Sequence, residues 1–173
     1  MHALATAYVK GAEELHEVRR IDLAKLDFPV LRDPDDWKSG EAVESLHEVR
    51  AAVGWADHLV ILYPLWLGDV PALLKALLEQ VARPGFAIQP KEHGLYRKLL
   101  KGKSARLIVT MGMPAAAYSI FFRAHSVKSF KRNILHFVGV SPVRTTLIGR
   151  VDKGDAYRRK WLGKVERLGR FGR

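Results

Sequence analysis

His58-Leu-Val-Ile-Leu-Tyr-Pro-Leu-Trp-Leu-Gly-Asp-Val-Pro-Ala-Leu-Leu-Lys-Ala-Leu-Leu-Glu-Gln-Val-Ala-Arg-Pro-Gly-Phe86 carries two hydrophobic periods joined by a loop. Leu59 to Tyr63 is a short continuous apolar block, the pattern of a strand covered on both faces. Leu73, Leu74, Leu77, Leu78 and Val81 then recur at helical spacing. A buried strand feeding an amphipathic helix is half of a parallel βαβ unit, and ligands bind in the crevice outside the carboxyl ends of such strands. Pro64 to Asp69 therefore occupies the place where a planar group would be held.

The same alternation continues outward. Ala3, Leu4, Ala7, Tyr8 and Gly11 form an opening helical stripe, followed by Val18 to Leu23 as an extended segment. Asp27 to Ser39 reads as a long loop, and Val43, Leu46, Val49 and Val53 mark a second helix. Pro84 to Lys103 is a connection punctuated by Pro, Gly and Lys, long enough to be functional or to touch a partner. Ala105 to Thr110 is a second buried strand. Val127, Phe130, Ile134, Leu135, Phe137 and Val138 predict a helix stopped by Gly139 and Pro142, and Val143 to Ile148 the last strand. Helices alternating with apolar strands imply a doubly wound α/β fold: a parallel sheet flanked by helices on both faces.

Bulk properties narrow the function. With 173 residues, 48% of them hydrophobic, the chain suits one domain, residues 1–173, ending in a basic helix over about 153–173. No run of about 18 apolar residues and no secretory pattern is present, so the expected location is cytoplasmic. The absence of cysteine excludes disulfides, thiol catalysis and thiolate metal sites. The histidines (2, 16, 47, 58, 93, 125, 136) form no zinc-ligand spacing, so no metal site is expected. Neither a dinucleotide fingerprint nor a P-loop nor a nucleophile elbow occurs. Net charge is +11, and residues 150–173 hold nine Lys/Arg against three acidic residues. Trp161, Val165 and Leu168 place one face of that tail helix on the body, with its basic residues outward. Such a patch attracts phosphorylated cofactors or an anionic membrane; nucleic acid ranks last, because no aromatic-interleaved basic groove accompanies it.

Two loops follow strand ends and can share one crevice. Pro64-Leu65-Trp66-Leu67-Gly68 combines a rigid turn, a flat ring and a position without a side chain, which suits a planar ring against backbone. Thr110-Met111-Gly112-Met113 can present successive N–H groups to an electron-rich edge. Tyr118 and His125 follow, a hydroxyl and an imidazole able to bond a carbonyl and relay a proton.

Taken together, Tyr63-Pro-Leu-Trp-Leu-Gly-Asp-Val-Pro-Ala-Leu-Leu-Lys75, Arg83-Pro-Gly-Phe-Ala87, Thr110-Met-Gly-Met113 with Tyr118, and Ser141-Pro-Val-Arg-Thr-Thr146 resemble the flavodoxin-like NAD(P)H:quinone oxidoreductase family. The resemblance covers most of residues 2 to 150. It implies a flavodoxin-like fold and a bound flavin, FAD or FMN, that takes a hydride from NAD(P)H and passes two electrons to a quinone in a ping-pong cycle. It implies that Pro64, Leu65, Trp66 and Leu67 line the flavin ring and that Thr110, Met111, Gly112 and Met113 contact its pyrimidine side. Tyr118 would face the substrate, with His125 as a looser match. Leu67 and Gly68 stand where a relative carries aromatic residues, implying a more open pocket. The family also implies a homodimer with the site at the interface. Its members open with a strand and a phosphate-binding loop carrying Gly-His-Pro; here the sequence begins at the helix His2-Ala-Leu-Ala, so the usual first strand and that loop are expected to be lacking. Two other readings follow: a non-catalytic regulatory relative with weak or no flavin binding, and a transporter-ancillary subunit that meets a membrane through the basic tail.

Overall fold

The structure is a computed structural model and describes residues 1–39, 43–91 and 95–172. Three parallel strands form the main sheet: β1 (His58–Pro64), β4 (Ser104–Thr110) and β5 (Val143–Ile148), in the order β1-β4-β5. Leu59 is level with Ala105, and Ala105 with Val143. β4 is central and buried along almost its whole length, which explains its run Ala105-Arg-Leu-Ile-Val-Thr110 without regular polar alternation. The helices are α1 (His2–Ala12), α2 (Pro34–Lys38), α3 (His47–Trp55), α4 (Ala72–Val81), α5 (Ala115–Ile120), α6 (His125–Ser129), α7 (His136–Val138) and α8 (Asp155–Arg170). A short antiparallel pair, β2 (Ile88–Pro90) and β3 (Tyr96–Lys98), completes the described elements.

Both sheet faces are covered. Ile108 and Ile148 pack with Tyr8 of α1 and Val165 of α8, with Val60 and Leu62 at the margin. Leu107, Val109, Tyr63 and Val143 pack on the other face with Leu74 of α4, Tyr118 of α5 and Val127 to Val138. The expected doubly wound parallel sheet is thus present, with β1 at its edge and paired with β4 alone.

Differences from the sequence reading have local causes. Val18 to Asp22, expected to be extended, carries no regular element and joins no sheet, with Asp22 itself in the extended region, and Leu23–Lys25 is already a 3-10 turn. The loop after Asp27 holds α2, nucleated because Asp33 Oδ1 accepts the Asp35 N–H at 2.7 Å ahead of Pro34 in the first turn. The second helix begins as a 3-10 turn at Glu44–Leu46 before α3. The Pro84 to Lys103 connection contains the β2–β3 pair; its residues 92–94, His93 among them, lie outside the described residues, as does Arg173 of the basic tail. The helix from Val127 to Val138 is interrupted by a π-helical stretch, Phe130–Leu135, and ends at Gly139 with φ +110°.

The tail helix behaves as its periodicity requires. Val165 is fully buried, Trp161 and Leu168 pack beside it, and Arg158, Arg159, Lys160, Lys164, Arg167 and Arg170 are exposed. Ion pairs tie α8 to α1 and its end: Lys10 Nζ to Glu166 Oε1 at 2.9 Å and Arg170 Nη2 to Glu14 Oε1 at 2.6 Å.

Candidate functional site

β1 and β4 end side by side, and their following loops are joined directly: the Leu65 N–H donates to the Thr110 carbonyl at 2.7 Å. Beyond that link, Trp66 and Asp69 exchange two backbone hydrogen bonds, of 3.0 and 2.9 Å. Leu67 and Gly68 lie between them at φ +48° and +80°, the conformation of a tight two-residue turn that Gly accepts readily and Leu at a cost. Asp69 Oδ1 accepts the Val70 N–H at 2.7 Å and closes the loop onto α4. The turn lifts Trp66 out of the protein: its side chain is 63% exposed beside the crevice. An indole held out by a hydrogen-bonded turn gives a flat apolar platform for another ring.

The second loop offers fewer free donors than the sequence suggested. Alternation along β4 turns the Thr110 N–H into the β1 ladder, and the Met111 N–H donates to the Ile148 carbonyl at 2.9 Å. Gly112 and Met113 carry N–H groups that have no backbone partner among the described residues. The loop's carbonyls are occupied instead, with Met113 C=O accepting from Arg150 N–H at 3.2 Å. A β-carbon at Gly112 would meet no atom within 4 Å, so its surroundings are open. The site thus has two donors and an open floor where four successive donors were expected.

The two residues expected to be catalytic, Tyr118 and His125, are placed differently from one another. Tyr118 is 2% exposed, and its hydroxyl shares a 2.7 Å hydrogen bond with Ser126 Oγ, so it lies in the core beneath the loop. The cause is the short helix α5, whose buried position falls at Tyr118 while Ile120 and Phe121 point outward. His125 is exposed at the start of α6, just after Arg123 and Ala124, both with φ +49°. Tyr63, at the end of the strand block Leu59 to Tyr63, is also buried beside this group. Its hydroxyl has no partner among the described residues. Burial, then the neighbouring Tyr118 and Asp69, push its ionisation well above the ordinary phenolic range. Tyr63→Phe is therefore expected to leave stability unchanged or raise it, while Tyr118→Phe strands Ser126 and lowers it by about 1 kcal/mol. Urea midpoints of the two variants check this; a Tyr63→Phe loss as large as that of Tyr118→Phe would mean the hydroxyl is satisfied.

Pro64, Leu65, Trp66 and Leu67 lie in the loop after β1, facing the loop of Gly112 and Met113, and a β-carbon at Gly112 would meet nothing within 4 Å, so a planar group has room between the two loops. The Thr110 carbonyl and the Met111 N–H are engaged in the bonds that anchor the loops.

The profile of a family described by its flavodoxin-like fold matches residues 1–168. An FMN-dependent NADH:quinone oxidoreductase 1 of Jannaschia sp. (strain CCS1) is 35% identical over 113 residues, which are 64% of this chain and 56% of that protein. The match thus spans little more than half of that relative's length. An FMN-dependent NADH:quinone oxidoreductase of Alteromonas mediterranea is 28% identical over 165 residues, 88% of this chain and 80% of that one. Among solved structures, Smu.1420 from Streptococcus mutans UA159 superposes with a TM-score of 0.83 at 28% identity, covering 98% of this chain and 91% of that one.

Proposed function

The chain belongs to the family with the flavodoxin-like fold, and from that premise we propose that it is a flavin-dependent NAD(P)H oxidoreductase that reduces quinones or similar acceptors by two electrons. The observation that carries this reading is the paired loop arrangement: an exposed indole turn after β1, tied by one backbone hydrogen bond to a β4 loop with two uncommitted N–H groups. The FMN dependence of the two relatives favours FMN over FAD. Bound flavin supplies the redox chemistry, taking two electrons from NAD(P)H and passing them on.

The chain's residues do the rest. Trp66 and Leu67 exclude water from one side of the ring, and the Gly112 and Met113 N–H groups stabilise negative charge on an electron-rich edge. His125 is the exposed imidazole on the segment that follows and is the proposed proton donor to the acceptor; Tyr118, with Ser126, positions that segment from below.

Titration with FMN and with FAD, followed by visible absorbance, tests the reading. Saturable FMN uptake, bleaching by NADH or NADPH and recolouring by a simple quinone are expected. Failure to take up either flavin would overturn the enzyme reading and leave the regulatory one.

We also infer a homodimer. Ile120 and Phe121 are 70% and 81% exposed on the helix that leads from the β4 loop, with Phe122 behind them. Large apolar side chains beside a crevice are the residues that interfaces cover. Phe121→Lys is expected to shift the sedimentation coefficient from dimer to monomer; an unchanged monomeric or dimeric value would remove this patch from the contact.

A further inference from the structure

Helix α8 has two chemically distinct faces. Inward, Val165 is fully buried, and Trp161 and Leu168 pack beside it in the cluster shared with α1 and the sheet. Outward, Lys160, Lys164 and Arg167 recur at i, i+4 and i+7, and Phe171 follows at i+11 just past the last turn, so the four fall on one stripe opposite Val165. All four are exposed, and Arg159 and Arg170, also exposed, widen the stripe on one side.

Most of this charge has no partner within the molecule. The acids of α8 are engaged away from the stripe: Glu166 pairs with Lys10 of α1 at 2.9 Å, and Asp155, in the first turn, with Arg158 at 3.3 Å. Arg170 is held by Glu14. Arg159, Lys160 and Arg167 make no ion pair, side-chain hydrogen bond or ring contact among the described residues, and Lys164 lies only over the Trp161 ring, 4.6 Å from its centre. Gly163 sits among these cations, and a β-carbon there would meet nothing within 4 Å, so no neighbouring element covers the stripe.

The far end of the stripe is apolar. Phe171 is 62% exposed and Leu15, just after α1, is 68% exposed. Their two segments run together: Glu14 pairs with Arg170, and a β-carbon at Gly172 would lie 3.2 Å from His16 Nε2. Two large apolar side chains thus stand in solvent beside a row of unpaired cations.

We propose that the outer face of α8 is a docking surface for an anionic lipid bilayer, with Lys160, Lys164 and Arg167 against the phosphate headgroups and Phe171 and Leu15 entering the headgroup layer. Charge complementarity selects an anionic occupant, and the neighbouring chemistry selects its kind. The 16 residues of α8 present their cations along about 24 Å of one side, a layout that meets a plane. Single-stranded nucleic acid is held by rings interleaved with cations, whereas the rings of this helix are half-buried: Trp161 packs in the core, and the Tyr157 hydroxyl donates to the Gly149 carbonyl at 2.9 Å. A bilayer uses both features of the stripe, because its surface attracts Lys and Arg and its interfacial layer accepts a phenyl or leucyl group.

The test mixes the full chain with vesicles of phosphatidylcholine, alone or with about 30 mol% phosphatidylglycerol, and reads the bound fraction by flotation. Binding to the anionic vesicles alone is expected, falling at least about tenfold between about 0.1 and about 0.5 M salt. Each cation against an anionic leaflet multiplies partitioning by about fivefold, so Lys160→Gln, Lys164→Gln and Arg167→Gln combined are expected to lower it at least about thirtyfold. None of the three is ion-paired, so this variant is expected to keep the native circular dichroism spectrum and thermal midpoint. Lys91→Gln, Lys128→Gln and Arg132→Gln combined remove the same charge from exposed positions outside α8 and are expected to change partitioning less than about threefold. Phe171→Ser, which keeps every charge, is expected to lower it at least about threefold. No binding to anionic vesicles, equal binding to neutral ones, equal losses in the two triple variants, an unchanged Phe171→Ser, or tighter binding to a short DNA duplex than to the anionic vesicles would each overturn the proposal. None of these readouts depends on flavin or turnover, so the oxidoreductase reading stands or falls separately.

Discussion

Gly11→Ala is expected to destabilise the protein by roughly 3 kcal/mol, although alanine is the better helix former by about 1 kcal/mol. A β-carbon built at Gly11 falls 1.9 Å from the Glu166 carbonyl oxygen and 2.8 Å from its carbon. The contact is reciprocal: at Gly169 the β-carbon would lie 2.1 Å from the Tyr8 carbonyl oxygen. Both obstacles are backbone atoms in helices and cannot swing aside, so α1 and α8 must separate. Separation uncovers Tyr8 and Val165 and loosens the layer that covers Ile108 and Ile148. The clash therefore outweighs the gain in propensity.

A control for sign lies in the helix that α1 packs against. Gly163 of α8 has nothing within 4 Å of a built β-carbon. Gly163→Ala is expected to stabilise by up to about 1 kcal/mol, because only propensity changes. Urea midpoints for both variants check the pair. Two losses of similar size would mean that alanine is refused in both helices for some other reason, and the close helix crossing would not be the cause.

That crossing also marks where reading the sequence stops. Residues 143–148, with Arg144, Thr145 and Thr146, were marked by the Gly139 and Pro142 that stop the helix before them, while the apolar blocks at 59–63 and 105–110 named the other two strands of the main sheet because strands covered on both faces are written as near-continuous apolar residues. Trp161, Val165 and Leu168 placed the tail helix on the body for the same reason. Gly11 and Gly169, however, are separated by most of the chain, and no local pattern says that they face each other. Gly11 read as one position in an apolar stripe when it is a contact point between backbones.

The site divides along a similar line. The turn at Trp66 to Asp69 was legible from Pro, Gly and an aromatic after a strand. Four free N–H groups from Thr110 to Met113 were not a safe inference, because which donors remain depends on the neighbouring strands. β1 and β5 claim two of them. Tyr118 was misplaced for a related reason: a hydroxyl-bearing ring after a Gly/Pro loop reads as a site residue, whereas its place on α5 turns it inward toward Ser126. Val18 to Asp22 had the composition of a strand, but a strand is defined by its partner, and in this structure β1 does not pair with it.

The second large effect concerns the crevice, and two glycines separate binding from folding there. Gly112→Leu is expected to leave the thermal midpoint of the flavin-free protein within about 1 °C of the parent. The position has no positive φ, and a built β-carbon meets nothing within 4 Å, so the side chain enters open space without strain. That space adjoins one of the two N–H groups left for a flavin edge, and four added carbons there are expected to weaken FMN binding more than tenfold, a loss above about 1.4 kcal/mol. Gly149 acts on the same loop from beneath. Its β-carbon would fall 2.3 Å from the Ala115 nitrogen and 2.6 Å from the Met113 oxygen, so Gly149→Ala must push the loop off β5. It is expected to lower both stability and FMN affinity, because the Met113 carbonyl also holds the Arg150 N–H. Fluorescence titration with FMN and thermal melts of the two variants give four values. If Gly112→Leu binds FMN as the parent does, the β4 loop is not the wall of the flavin site, whatever Gly149→Ala shows.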